Sequence, residues 1–277
     1  MSSSTSAESV PTYIDPSKPS IARVYDAFLG GKDNYEVDRE VVRGVQKAAP
    51  EARDLAVENR AFLIRACRFL AQQTGITQYL DCGSGLPTAE NTHQVVQRVN
   101  PDSRIVYVDN DPAVLAHGRA LLEENGNTAL VAEDIFVPEK LLRNQVVQSH
   151  LDWNEPIALL QCGTLHHYNG EKTRTRKDIM RAYIDALPSG SYVVISHFLD
   201  PEDEYSATAR KMENMFLHSM MGSGTFSTTA ELEDLFNGLE MVSPGLVRCA
   251  DWWPDGPQLK DLNAAQRSIA GGMARKS

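Results

Sequence analysis

From Ile76 onward the chain alternates short apolar runs with stretches that have helical periodicity. A chain with this alternation folds as a mostly parallel sheet with helices on both faces. The apolar runs predict seven strands, at Gln78–Asp81, Arg104–Asp109, Thr128–Glu133, Pro156–Gln161, Ser191–His197, Leu239–Val242 and Gly245–Cys249. The connection between the last two runs is too short for a helical crossover, so we expect them to be antiparallel neighbours. The sequence therefore predicts an α/β fold whose parallel sheet ends in one antiparallel strand.

The region before this alternation is helical in pattern. Apolar residues recur at 3.6-residue spacing from Ile21 to Leu29, and Gly30-Gly31 ends that helix. Two further helices are expected at about 37–49 and 51–73. We expect residues 19–75 to form a helical cap, residues 76–277 the α/β core, and the polar segment 1–18 a disordered tail. Within the core the pattern predicts helices at about 87–99, 112–125, 138–149, 171–187, 205–221 and 229–237.

The composition excludes several classes of protein. A net charge of −10, with no run of basic residues, gives no electrostatic attraction for nucleic acid or for an anionic membrane. No stretch approaches the roughly 18 apolar residues that a membrane span requires. The four cysteines, at 67, 82, 162 and 249, form no Cys-x-x-Cys pair, which argues against a zinc site or a disulfide framework. We therefore expect free thiols and a cytoplasmic location.

Three carboxylates recur where predicted strands end. Asp81 ends the first strand, Asp109 ends the second, and Asp134 closely follows the third. Because ligands of open parallel sheets bind outside the carboxyl ends of the strands, these acids can line one crevice. Gly83 and Gly85, directly after Asp81, allow a tight turn and a close approach of the backbone to a ligand.

Each acid suits one part of S-adenosylmethionine (SAM). Asp109 follows Gly85 by 24 residues, about where an acid accepts hydrogen bonds from ribose hydroxyls. Asp134 can accept from an adenine amino group, and Asp81 can attract the ammonium of the methionine part. Further cofactor contacts are expected beside the ring and along the strand ends, from Ser84, Asn110, Ile135 and Cys162.

A dinucleotide is the competing cofactor. If the crevice binds a dinucleotide, the protein is an NAD(P)-dependent oxidoreductase, which is the alternative to a SAM-binding protein. Its fingerprint, G-x-G-x-x-G, places pyrophosphate on a helix N-terminus, whereas here Thr88 stands where the third glycine belongs. Asp81 would also repel a pyrophosphate, while it suits a cofactor that carries an ammonium and a sulfonium. A non-catalytic module that binds SAM or another metabolite is the other alternative.

Several segments together resemble one family. They are RVYD at 23–26, LGGKDNY at 29–35, DCGSGLPT at 81–88, YVDNDP at 107–112, LH at 165–166 and the block from Gly190 to His197. This combination is similar to an actinobacterial SAM-dependent methyltransferase-like family, formerly a domain of unknown function. The resemblance implies a Rossmann-like class I methyltransferase fold and SAM binding. It implies no particular substrate. Because methyl transfer from SAM mainly requires alignment of the acceptor with the methyl group, we expect O- or N-methylation of a small molecule, in secondary metabolism, by a monomer or homodimer.

Other residues have both a structural and a functional interpretation. His166, after the fourth strand, is either a general base for the methyl acceptor or a structural histidine. A metal site built from His166, His167 and His197 is not expected, because adjacent histidines point apart. Trp252-Trp253-Pro254 and the methionine-rich segment 204–226 belong either to the core or to a substrate pocket.

The segment Gly30–Tyr35 is either a helix–helix loop or a lid that closes over SAM, and the resemblance favours the lid. Tyr25 and Asn34 are the candidate cofactor contacts of this region. Arg23 is the candidate partner of the methionine carboxylate.

Overall fold

A central sheet organises the computed structural model, which describes residues 13–87, 90–122, 126–170 and 172–277. The strands are β1 (Gln78–Cys82), β2 (Arg104–Asp109), β3 (Thr128–Ala132), β4 (Ala158–Cys162), β5 (Tyr192–Phe198), β6 (Glu240–Met241), β7 (Val247–Arg248) and β8 (Ile269–Arg275). They lie in the order β3-β2-β1-β4-β5-β8-β6, and β7 also pairs with β8. Strands β1 to β5 are parallel, and β8 is antiparallel to β5. This confirms the predicted mostly parallel α/β sheet with an antiparallel last strand.

The predicted identity of the antiparallel strand is wrong. The strand beside β5 is β8, whereas β6 and β7 each pair with β8 and do not form the predicted hairpin with each other. The run that forms β8 contains Gly271 and Gly272, which lower its apparent strand propensity. Gly271 is required there because a Cβ atom at this position would lie 2.6 Å from Cε2 of Phe62.

Helices cover both faces of the sheet. In the described part of the chain they are α1 (Ile21–Leu29), α2 (Glu36–Ala48), α3 (Arg53–Phe69), α4 (Thr92–Gln97), α5 (Pro112–Leu122), α6 (Pro138–Leu141), α7 (Gln145–His150), α8 (Arg176–Ala186), α9 (Ser206–His218), α10 (Thr229–Asp234) and α11 (Ala264–Arg267). Their ends follow local chemistry. Ser20 accepts from the Arg23 amide at the start of α1, and Gly30 ends that helix with φ of 81°. Three of the predicted helices, at 87–99, 112–125 and 171–187, include residues 88–89, 123–125 and 171, which lie outside the described residues.

Alternation along the strands builds two cores. Tyr79 and Leu160 pack with α1, α2, α3 and α9 on one face, whereas Leu80 and Leu159 pack with α7, α8 and α10 on the other. Trp252 is fully buried in the first core, edge-on to Phe62 and Phe69, so it is a packing residue. Its neighbour Trp253 is 52% exposed.

The N-terminal segment is held against α1 by a buried arginine. Arg23 forms an ion pair with Asp38 of α2 at 2.9 Å and donates to the carbonyls of Asp15 and Lys18. The prediction of a disordered tail is therefore wrong for the segment around Asp15–Lys18. Residues 1–12 of that predicted tail lie outside the described residues.

Candidate functional site

A cavity of about 460 Å³ runs along the carboxyl ends of β1 to β5. The chain order in the sheet reverses direction between β1 and β4, which is where open parallel sheets form a ligand crevice. Helices α1 and α3 cover the cavity from the N-terminal side, and α9 closes it near β5. The volume falls within the usual range of small-molecule sites.

Asp81 lies at the end of β1 and lines the cavity. Its carboxylate is buried and accepts a hydrogen bond from Thr92 Oγ1 at 2.7 Å. Burial raises the pKa of Asp81, while the Thr92 hydroxyl and the positive charge of Arg60 act in the opposite direction. A cationic group bound beside this carboxylate would stabilise its ionised form.

Three backbone amides of the glycine loop after Asp81, those of Gly83, Ser84 and Gly85, already have hydrogen-bond acceptors. The amides of Gly83 and Ser84 both donate to the Val108 carbonyl, at 2.8 and 3.1 Å. The Gly85 amide donates to Asp109 Oδ2 at 2.9 Å. A pyrophosphate site needs such amides to be free and a helix N-terminus to face the anion. The arrangement therefore argues against a dinucleotide. Thr88, which stands at the position of the third glycine of the dinucleotide fingerprint, lies outside the described residues.

Asp109 lies at the end of β2 with both carboxylate oxygens facing backbone donors. Oδ2 accepts from Gly85, and Oδ1 accepts from the Asp111 amide at 2.9 Å. Burial raises the pKa of Asp109 to about 6 despite these hydrogen bonds. Each oxygen can accept a second hydrogen bond, so a vicinal diol, such as the ribose of a nucleoside, fits this carboxylate.

The segment after β3 forms the next part of the wall. Asp134 Oδ1 accepts from the Phe136 amide at 2.8 Å, and the Tyr183 hydroxyl fixes the Ile135 carbonyl at 2.6 Å. Asp134, Ile135 and Phe136 all line the cavity, as does Asn110 after β2. An apolar side chain and a ring beside a carboxylate suit a purine with an exocyclic amino group.

A hydrogen-bonded chain links the cap to the centre of the sheet. Ser196 of β5 donates to Asn59 Oδ1, and Asn59 Nδ2 donates to the Tyr25 hydroxyl at 3.0 Å. Tyr25 in turn donates to the Ala56 carbonyl at 3.1 Å, and burial raises its pKa to about 12. Tyr25 lines the cavity, but its hydroxyl is engaged in this chain. The predicted contact of Tyr25 with a cofactor is thus available only through its ring.

Two residues expected at the cofactor lie elsewhere. Arg23 is only 3% exposed, is engaged with Asp38, and does not line the cavity. Asn34 donates to Asp26 Oδ2 at 2.7 Å and accepts from Arg39, also away from the cavity. These placements correct our expectation of cofactor contacts from Arg23 and Asn34.

The expected lid is corrected in the same way. Asp26 of α1 also accepts from the Asp33 amide at 3.0 Å, so the loop from Gly30 to Tyr35 folds back onto its own helix. No residue of this loop lines the cavity within the described part of the chain. The cover is α1 itself, through Ile21, Tyr25 and Phe28.

Arg60 of α3 is the cation that sequence reasoning missed. It lines the cavity, donates to the Glu90 carbonyl at 2.8 Å, and contributes its positive charge to Asp81. A signal existed, because Ala56, Asn59 and Leu63 of the same helix also line the cavity at helical spacing. The signal could not separate Arg60 from the other arginines of the cap without knowing how the helices pack.

The β4–β5 end of the cavity is aromatic. His166 stacks on Phe198 with ring centroids 3.6 Å apart, and Phe198 stacks in turn on Phe216 of α9. His166, Phe198 and Phe216 line the cavity together with Phe28 and Met221. The methionine-rich segment therefore contributes to the cavity wall through Phe216 and Met221 and to the core through Met212.

The three histidines near this end are neutral for the same physical reason. Burial lowers the pKa of His167 and of His197 to about 3, and lowers that of His166 well below its usual value. His197 is held between the Phe198 carbonyl, at 2.7 Å from Nδ1, and Arg176, at 2.9 Å from Nε2. The described residues contain no group of three or more side chains that could hold a metal ion.

Comparison with known proteins decides between the cofactors. The family model described as S-adenosyl methyltransferase matches residues 7–277. The chain belongs to this S-adenosyl methyltransferase family. The match confirms the family resemblance, the SAM cofactor and the assignment as a SAM-dependent methyltransferase, and it overturns the NAD(P)-dependent alternative. A search of curated proteins returned no match.

Two solved structures from actinobacteria support the fold of this methyltransferase. A candidate methyltransferase from Thermobifida fusca is 42% identical, with a TM-score of 0.88, over 94% of this chain and 96% of that one. A DUF574 family protein from Streptomyces avermitilis is 34% identical, also with a TM-score of 0.88, over 96% of this chain and 100% of that one.

Within the described residues, no helix combines the length and the apolar character needed to cross a membrane.

Proposed function

We propose that this methyltransferase binds SAM along the strand ends with the methionine part at Arg60 and Asp81. The carboxylate of the cofactor pairs with the Arg60 guanidinium, and its ammonium lies beside Asp81. Asp109 accepts from the ribose hydroxyls, and Asp134 with Ile135 borders the adenine. The observation that carries this proposal is that one cavity contains all of these groups while the loop amides are already engaged.

Ser84 and Asn110 complete the proposed cofactor contacts, and the strand order supports a position for the reactive carbon. With adenine at β3 and ribose at β2, the sulfonium methyl reaches the end of β4, near Cys162 and Gly163. The cofactor supplies a methyl group already activated by a positively charged sulfur. The protein aligns a small-molecule acceptor with this carbon and excludes water, with Phe28 of α1 and Phe216 of α9 closing the β5 end.

Calorimetric titration tests the cofactor assignment. SAM and S-adenosylhomocysteine should bind, whereas NADH should not. In Arg60→Met the loss of a charged hydrogen bond should weaken SAM binding by about 1.5–3 kcal/mol. Arg68→Met is the matched control, because Arg68 lies on the same helix and pairs with Asp255 at the surface. Equal SAM affinity in Arg60→Met and the wild-type protein would remove Arg60 from the site.

Location, domain organisation and oligomeric state complete the proposal. We place the protein in the cytoplasm, because the described cysteines are free thiols, which persist in a reducing compartment. We assign residues 19–75 to a cap that contributes Tyr25 and Arg60 to the site of the 76–277 core. Light scattering of the purified chain separates a monomer from a homodimer.

A further inference from the structure

Charge is distributed unevenly along the cavity. The charged side chains among its described lining residues come from α3 and from the ends of β1, β2 and β3: Arg60, Asp81, Asp109, Asp111, Glu133 and Asp134. The β4–β5 half is lined instead by Phe28, Phe198, Phe216, Met221 and the two neutral histidines. Arg176 lies behind His197 and is not part of the lining. A charged acceptor would be desolvated there without an ion-pair partner.

The wall of this half matches an aromatic ring. The rings of His166 and Phe198 are within 13° of parallel, and those of Phe198 and Phe216 within 19°. Aromatic pairs contribute a favourable interaction beyond that of their buried area. The thioether of Met221 adds a further favourable contact for a ring. Together these surfaces favour a flat aromatic acceptor over an aliphatic one.

His166 provides a polar contact in this half. The residue is 2% exposed, and its Nδ1 atom is buried with no hydrogen-bond partner among the described residues. Buried polar groups in folded proteins are almost always satisfied, so an unsatisfied ring in a cavity wall indicates a ligand contact. As a neutral imidazole it offers one acceptor nitrogen and one N–H.

We propose that this methyltransferase methylates the hydroxyl of an uncharged phenol, whose ring packs against Phe28, Phe198 and Phe216 and whose hydroxyl donates to His166. The proposal rests on the proposed function above, since it places the cofactor in the acidic half. An alkylamine acceptor fits less well. At neutral pH an alkylamine and its methylated product are protonated, and this subsite has no carboxylate among its described lining residues to pair with that charge.

The reaction balances as a single displacement. A lone pair of the phenol oxygen forms the new O–C bond to the methyl carbon, and the C–S bond breaks with its electron pair remaining on sulfur. The products are the aryl methyl ether and neutral S-adenosylhomocysteine. The phenolic proton moves to the acceptor nitrogen of His166 and then to solvent. A protonated aryl ether is a far stronger acid than an imidazolium, so even a weakly basic histidine accepts this proton.

Matched acceptors test the proposal with the full-length chain and SAM. Release of S-adenosylhomocysteine is followed by mass spectrometry with para-cresol, para-hydroxybenzoate and cyclohexanol, and the methylated product of meta-aminophenol is identified. The kcat/KM for para-cresol should exceed those of the anionic and aliphatic probes by about ten-fold or more. The meta-aminophenol product should be the O-methyl ether. N-methylation, or equal use of the anionic or aliphatic probe, would overturn the proposal.

Variants test the role of His166 separately. His166→Asn should lower kcat for para-cresol by about a hundred-fold while SAM affinity stays unchanged. The exposed His218→Asn is the matched control. Unchanged kcat in His166→Asn would overturn the proposed role, and if that variant does not fold, Phe198→Leu should raise KM for para-cresol. SAM binding without turnover of para-cresol or meta-aminophenol overturns the phenol proposal alone, whereas absence of SAM binding overturns the cofactor placement.

Discussion

We predict that Asp109 makes SAM binding dependent on pH in a range where most carboxylates are fully ionised. Burial raises its pKa to about 6, so the carboxylate loses its charge as the pH falls through that value. Only the ionised form can accept both ribose hydroxyls in addition to the Gly85 and Asp111 amides. At about pH 5 roughly one molecule in eleven is ionised, so the apparent Kd for SAM should rise about ten-fold relative to pH 7.5.

Stability of the ligand-free protein should change in the opposite direction. A carboxyl whose pKa is higher in the folded state than in the unfolded state binds more protons when folded. The free energy of unfolding should therefore increase as the pH falls, by about 1 kcal/mol between pH 7.5 and 5.5. Urea denaturation at the two pH values measures this contribution as the difference between the wild-type protein and Asp109→Asn.

Calorimetry at both pH values provides the affinity measurement. Asp109→Asn should bind SAM about 1–3 kcal/mol more weakly at neutral pH, because one acceptor oxygen is replaced by a donor. Its affinity should then change little between pH 7.5 and 5. The reasoning is refuted if the wild-type affinity is flat over this range, or if Asp109→Asn retains the same ten-fold change.

Substitutions of Arg23 and of two glycines in the loop after β1 test which contacts stabilise the fold. Arg23→Met leaves Asp38 as a buried charge without its partner, so urea denaturation should show a loss of about 3–5 kcal/mol, while calorimetry shows unchanged SAM affinity; a selective loss of affinity would restore Arg23 to the site. Gly83→Ala places a Cβ atom 2.4 Å from Thr164 Cγ2 at a φ of 71°, whereas Gly85→Ala has a similar φ of 67° and open space. Thermal unfolding should therefore show a larger loss for Gly83→Ala, and equal losses would mean that the close approach is unimportant.

The central strands were predictable because of where they lie. Strands β1 to β5 are parallel and covered on both faces, so each appears in the sequence as a continuous apolar run. Strand β8 was not found because Gly271 and Gly272 interrupt its pattern. Their reason is a contact distant in sequence, with Phe62 of α3. Such a constraint is visible only after the helix has packed on the sheet.

The carboxylates of the candidate site could be predicted from the sequence, whereas the residues brought to it by helix packing could not. Asp81, Asp109 and Asp134 could be placed together because the ends of neighbouring parallel strands meet at one edge. The proposed carboxylate partner, Arg60, could not be predicted in this way, since which arginine of the cap faces the cavity depends on the rotation of α1 and α3 about their axes. The aromatic half was also not predicted, because Phe28, Phe198 and Phe216 come from elements far apart in the chain.

A crystal structure of the complex with S-adenosylhomocysteine tests the central claim most directly. We predict the ligand carboxylate within hydrogen-bond distance of Arg60, the ribose hydroxyls on Asp109, and the sulfur near Cys162. The cavity beside Phe198 and His166 should remain open for the acceptor. A ligand whose carboxylate contacts Arg23, or whose adenine occupies the aromatic half, would contradict the account.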